Sequence, residues 1–188
     1  IGLFMKNDVA RDISYATSAN GLMGQLFIRS IENITGRIGL IKRAKDYDIE
    51  VANGRNFWEV IVERYNIKIN LVEGSLEDIP KKGPVVIVSN HPFGILDGLL
   101  LGYILSKTRN DFKIIANRVF RKAKDLDEVV LPISFEENRE GNLQNINTRN
   151  EAIRFLKGGG IVGIFPGGTV ATSAKLFSRP LDPFWKRF

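Results

Sequence analysis

Between Ile67 and Phe165 the chain alternates short apolar runs with stretches of helical spacing, and few folds accept that alternation. Val85–Val88 is a continuous β-branched run, which predicts a strand buried on both faces. Ile67–Val72 alternates apolar and polar residues and predicts another strand, and Phe112–Ala116, Val129–Ile133 and Ile161–Phe165 predict three more. Pro80-Lys81-Lys82-Gly83-Pro84 reads as a turn. Helices are predicted over about Leu96–Ser106 and Val119–Lys124. Thr148-Arg149-Asn150-Glu151 has the form of a capping box, opening a helix that Gly158-Gly159-Gly160 ends. The expectation is an α/β domain, its mostly parallel sheet flanked by helices.

The chain before Ile67 has a different character. Residues 1 to about 18 carry no clear pattern. From Gly21 to Lys45, Leu22, Leu26, Phe27, Ile31, Ile34, Ile38 and Ile41 recur at helical spacing, punctuated by Arg29, Arg37, Lys42, Arg43 and Lys45. Two readings fit: a helix laying its apolar side on the domain, or an interfacial helix with its basic residues towards anionic lipid. A second helix is predicted across Phe57–Tyr65, with Trp58, Ile61, Val62 and Tyr65 on one side. Residues 1–66 are therefore expected to be an N-terminal helical portion, and 67–188 the core of the fold. A length of 188 residues suits one sizeable core.

The inventory of side chains narrows the chemistry. With no cysteine there are no disulfides, no thiolate catalysis and no cysteine-bound zinc, and a single histidine cannot build a multi-histidine metal site, so no metal is expected. A Gly-x-Ser-x-Gly elbow, a Walker A pattern and a dinucleotide-binding Gly-x-Gly-x-x-Gly are all read as absent. These absences argue against an α/β-hydrolase nucleophile, an NTPase and a nicotinamide enzyme. A formal net charge of +6 favours an anionic partner: a membrane surface, a phosphorylated substrate or a nucleic acid. The basic residues are scattered and form no nucleic-acid motif, so no nucleic-acid partner is expected. The apolar stretch Ile95–Leu105 contains Asp97 and is shorter than the roughly 20 residues of a membrane span. No signal-peptide pattern is visible. The chain begins at Ile1 rather than methionine, leaving room for a native N-terminus and an anchor before it.

The one histidine, His91, lies in Ser89-Asn90-His91-Pro92-Phe93-Gly94-Ile95-Leu96-Asp97-Gly98, between a predicted strand and a predicted helix. Histidine can take and return a proton near neutral pH, and Asp97 can orient it if the chain turns sharply at Pro92-Phe93-Gly94. A strand-to-helix turn that merely contains a histidine fits the same spacing. In open α/β sheets ligands bind beyond the carboxyl ends of the strands. Three unusual segments fall there: Asn90-His91-Pro92, Asn117-Arg118 and Pro166-Gly167-Gly168-Thr169. A base, a cation and a glycine-rich anion cradle would then share one edge. Taken singly, Arg118 and Arg121 also read as solvated residues, the two glycines as a tight turn, and Thr169 as a helix cap.

The block Asn90–Gly98, followed some seventy residues later by Phe165-Pro166-Gly167-Gly168-Thr169, resembles the glycerolipid acyltransferase superfamily, and most closely its hemolysin-like and lyso-ornithine-lipid branch of lysophospholipid acyltransferases. The resemblance covers about residues 67–188 and implies that the helices before it, within residues 1–66, are the membrane-facing portion. It implies a glycerol-3-phosphate acyltransferase-like fold and acyl transfer from acyl-CoA or acyl carrier protein, as co-substrate and with no further cofactor, to the hydroxyl of a lysolipid. His91 would be the general base and Asp97 its orienting partner. Asn90, Gly167, Gly168 and Thr169 would help bind substrate, and Arg118, then Arg121, would bind the acceptor head group. A non-catalytic lipid- or acyl-carrier-binding domain of the same fold is the alternative. The implied location is the periphery of a membrane, on its cytoplasmic face.

Two departures accompany the resemblance. The superfamily commonly places four residues between histidine and aspartate, and here Pro92 to Leu96 make five, a longer form that the hemolysin-like branch resembles. Gly168 stands where a glutamate is common, which leaves the acceptor open between lysophosphatidate, a lyso-aminolipid and another alcohol. The superfamily places a further strand after this block, so a C-terminal truncation at Phe188 is expected.

Overall fold

The computed structural model describes residues 39, 42–43, 45–136 and 138–168. The helix expected over Gly21–Lys45 lies largely outside them, as does Thr169. The chain forms two compact units, Ile1–Lys68 and Ile69–Phe188. In the first, helices α1 (Tyr47–Ala52) and α2 (Phe57–Arg64) are joined by a short turn. Asn56 caps α2, its side chain accepting from Trp58 N at 2.9 Å and Glu59 N at 3.3 Å. Phe57, Trp58, Val60 and Ile61 are buried, and the Tyr47 and Phe57 rings meet edge to face at 5.6 Å. Glu50 receives Arg64 and Arg55, and those hydrogen bonds, Arg64 first, hold its carboxyl below the usual range.

The second unit is built on four parallel strands: β1 (Val85–Val88), β2 (Phe112–Asn117), β3 (Val130–Ile133) and β4 (Ile161–Ile164), in the order β1-β4-β2-β3. Val85 pairs with Ile161, Phe112 with Ile161, and Ile114 with Val130. Helix α3 (Ile95–Thr108) leads from β1 towards β2. A 3-10 turn (Arg118–Lys122) and α4 (Lys124–Asp127) join β2 to β3, and α5 (Arg139–Lys157) joins β3 to β4. Alternation along the strands supplies both faces of the core. Leu131 and Val162 pack with Ala152, Phe155 and Leu156 of α5. On the other face a Cβ at Gly163 would lie 2.9 Å from Leu101 Cδ2 of α3 and 3.5 Å from Ile114 Cγ1, so the missing side chain is the space α3 occupies.

The amino-terminal edge of the sheet is tied by Arg109, just past α3. Its guanidinium donates to Gly83 O at 2.8 Å, to Pro80 O, to Gly159 O and to both carboxylate oxygens of Asp111. The turns that launch β1 and β4 are thereby held to one buried cation. At both Gly83 and Gly159 φ is positive, a conformation that favours glycine.

Four expectations change. β4, central in the described sheet, is buried on both faces, but β1 is an edge strand there, with Val86 52% and Val88 49% exposed. A β-branched run fits either position, because propensity reports a pleated surface rather than what covers it. Ile67–Val72 pairs with no strand among the described residues, and Val72 is 90% exposed: its alternation marks no buried face there. Thr148 does not open a helix. It lies mid-way along α5, buried, with its hydroxyl bonded to Pro132 O, and Asn138 is the cap, accepting from Gly141 N at 2.7 Å. The hydroxyl that makes threonine a good cap also serves a helix interior when a strand carbonyl faces it. Last, Gly158, Gly160 and Gly163 do fall at Gly-x-Gly-x-x-Gly spacing, but they lead from helix into strand, the reverse of a dinucleotide-binding turn.

Candidate active site

Because the four strands are parallel, the segments leaving them share one edge. Asn90-His91 follows β1, Arg118 follows β2, Ser134–Glu136 follows β3, and Phe165–Gly168 follows β4. β1 and β4 are neighbours, and Ser89 N extends their ladder by donating to Ile164 O at 3.1 Å. The two motif segments are therefore forced together. The His91 ring stacks on Phe165 with centroids 4.3 Å apart and planes 24° from parallel.

The chain then turns at Gly94, where φ 64° and ψ −118° demand glycine, and α3 begins at Ile95. This puts Asp97 in the first helical turn, where the helix dipole favours a carboxylate. Its Oδ2 lies 3.1 Å from His91 Nδ1 and accepts from Phe93 N at 2.7 Å. The five-residue spacing is thus closed by a glycine turn and a helix start. The side chains of His91 and Asp97 are 20% and 13% exposed, so the pair is sheltered yet reachable. A carboxylate only accepts, so the contact with Asp97 fits the tautomer that carries its proton on Nδ1, and in that tautomer Nε2 is the basic nitrogen. Such a ring can remove a proton from an incoming hydroxyl.

The other expected residues divide. The turn Pro166–Gly168 closes through Gly168 N donating to Phe165 O at 2.9 Å, with φ +69° at Gly168, so that amide serves the turn. Gly167 is buried beside it and Asn90 is exposed. Arg118 Nη2 donates to Glu136 Oε1 at 2.6 Å. Arg121 bonds Asp127 at 2.6 Å and lines a cleft of about 570 Å³ with Asn110, Asp111 and Phe112, at the amino-terminal end of β2 and away from His91. The structure therefore brings His91, Asp97 and the Phe165–Gly168 turn together, and Arg121 stays apart.

Sequence reasoning gave no role to Phe165, which floors the imidazole, or to Glu136, eighteen residues from Arg118. The Pro-Gly-Gly that follows Phe165 was a signal for the first. No local pattern marks the second. Asn145 of α5 was also missed: its Oδ1 accepts from Ser134 N at 2.8 Å and its Nδ2 donates to Ser134 O at 3.0 Å, fixing the segment that carries Glu136. Among the described residues no helix is long and apolar enough to cross a membrane.

The sequence model of the acyltransferase family matches residues 71–183. Two curated proteins, the lyso-glycine lipid O-acyltransferases of Phocaeicola vulgatus and Bacteroides thetaiotaomicron, are each 34% identical to this chain over 82 residues, 43% of the chain. The aligned stretch spans 29% of each relative. No solved structure matches.

Proposed function

The chain belongs to the glycerolipid acyltransferase superfamily, and from that premise we propose that it moves a fatty acyl group from a thioester, acyl-CoA or acyl carrier protein, to the hydroxyl of a lysolipid at a membrane surface. The observation that carries this reading is the contact between His91 Nδ1 and Asp97 Oδ2, which leaves Nε2 as a base. The acceptor hydroxyl gives its proton to Nε2 as its oxygen attacks the thioester carbonyl carbon. The tetrahedral intermediate collapses, the C–S bond breaks, and the imidazolium returns the proton to the departing thiolate. The products are an ester and a free thiol, and the histidine ends as it began. Asp97 stabilises the imidazolium and keeps its tautomer; base catalysis of this kind contributes about 10² to 10⁴ in rate. Phe165 holds the ring plane.

The relatives' name supplies the finer proposal. A glycine-type head group bears a carboxylate, and Arg118 is the cation on the same edge suited to it. The Pro166–Gly168 turn shapes the pocket between them. The net charge of +6 suits an anionic bilayer, and we place the domain at the periphery of a membrane on its cytoplasmic face.

The test is transfer of radiolabelled palmitate, from CoA and from carrier protein, to a panel of lysolipids by wild type and His91→Ala. Label in one diacyl product, lost in the variant, is expected. Equal transfer by both would remove His91 from the reaction. Lipid binding without transfer from either donor would assign the fold to lipid or acyl-carrier binding.

A further inference from the structure

The segment after β3 holds a carboxylate on the head-group cation. There Glu136 N donates to Ser134 Oγ at 3.2 Å, and Ser134 is gripped through both N and O by Asn145. Asn138, capping α5 through Oδ1, turns its Nδ2 to Glu136 Oε2 at 3.2 Å. Gly141 lets the segment come close, since a Cβ there would lie 2.4 Å from Glu136 O. These contacts present Glu136 Oε1 to Arg118 at 2.6 Å, with both side chains 51% exposed and so open to exchange with a ligand. β4 alone separates β1 from β2, so the segments bearing His91 and Arg118 are about two strand spacings, roughly 10 Å, apart. That separation suits a reacting hydroxyl at one end and a charged head group at the other.

We infer that Glu136 is a specificity-determining residue, an internal carboxylate that competes with the acceptor's own carboxylate for Arg118. The inference rests on the acyl-transfer reading above. Glu136 offsets part of the charge that an anionic head group would meet on Arg118, and an uncharged head group loses nothing by it. Glu136 thereby lowers the preference for anionic acceptors and covers the cation when the site is empty. A half-exposed ion pair is weak, so the competition is worth about two- to five-fold in affinity.

The test uses the full chain and two probes: a lysolipid with a glycine head group and the same lysolipid with its carboxylate methylated. Both are measured in neutral detergent micelles, by equilibrium binding and by acyl transfer. In Glu136→Gln, the preference for the carboxylate over the ester is expected to rise about two- to five-fold. In Arg118→Gln the preference falls, and adding Glu136→Gln to it changes nothing further. An unchanged or reduced preference in Glu136→Gln overturns the inference, as does a rise that persists without Arg118. Absence of transfer with the binding shift intact refutes the acyl-transfer reading and leaves the competition standing.

Discussion

Replacing Asp97 by asparagine and by alanine separates the two things its carboxylate supplies. Both donors, His91 Nδ1 at 3.1 Å and Phe93 N at 2.7 Å, converge on the same oxygen, Oδ2. Asparagine can put its carbonyl oxygen there and keep both hydrogen bonds, because the fixed backbone N–H of Phe93 rejects the amide nitrogen at that place. The orientation and tautomer of His91 then survive and only the negative charge is lost. Unit charges about 4 Å apart interact by about 4 kcal/mol at an effective dielectric of about 20. With the pair partly exposed, about 2–4 kcal/mol of imidazolium stabilisation is at stake, or about 30- to 1,000-fold in rate. Alanine also frees the imidazole and strands the Phe93 N–H, so its rate should fall at least about ten-fold further. Initial rates at saturating donor, with thermal melts to confirm folding, give the comparison. Asparagine as damaging as alanine would mean that Phe93 does not select the amide's orientation. Asparagine within about three-fold of wild type would mean that the charge is unused.

Gly163→Ala pushes a methyl to 2.9 Å from Leu101 Cδ2 and should destabilise the fold by about 1–3 kcal/mol in denaturant melts; adding Leu101→Val should recover part of that loss, and failure to do so would misplace the clash. Thr148→Val removes the hydroxyl that bonds Pro132 O, at about 1–2 kcal/mol, with the helix content by circular dichroism unchanged; a loss of helix would restore Thr148 as a cap. Hydrogen bonds from Arg109 hold the Asp111 carboxyl below the usual carboxylate range, so its contribution is present above the unfolded-state value, near pH 4, and fades as pH falls through the folded-state value. Melts of wild type and Asp111→Asn should therefore differ at pH 7, with the gap narrowing as the pH falls below the ordinary carboxylate range, and a constant gap would contradict the assignment.

Much of the core was legible because it follows from local pattern. The run Ile161–Phe165 lies central and largely buried, and the Gly158–Gly160 stop follows directly on Lys157, the last residue of α5. The six-residue step from His91 to Asp97 was readable as a turn that could close, and Gly94 closes it. Other features depend on what the rest of the chain brings alongside. The exposure of Val86 and Val88 accompanies the place of β1 at the margin of the described sheet, which neither residue encodes. Thr148 followed by Glu151 carries the capping signature, yet a strand carbonyl outbids it. Arg118 reads as a cation after a strand, and only the family resemblance makes it a head-group binder, whereas its pairing with Glu136 requires β3 beside β2 and Asn145 behind the loop. Arg121, three residues on, is carried by the 3-10 turn to the far end of β2.

The strand order also bears on when this protein acquires its site during synthesis. β4 is the last described strand to leave the ribosome, yet it is inserted between β1 and β2, and β1 has no other partner in the described sheet. Until Ile161–Ile164 emerges, β2 and β3 can pair while β1 has no edge to join. His91 then has no Phe165 beneath it. The histidine-bearing turn and its ring support mature in a single late event, closing contacts more than seventy residues apart in sequence. Such non-local closure slows folding and keeps apolar strand faces uncovered in the interval. A nascent chain stalled before β4 would have the histidine and the aspartate but not the ring that supports the imidazole.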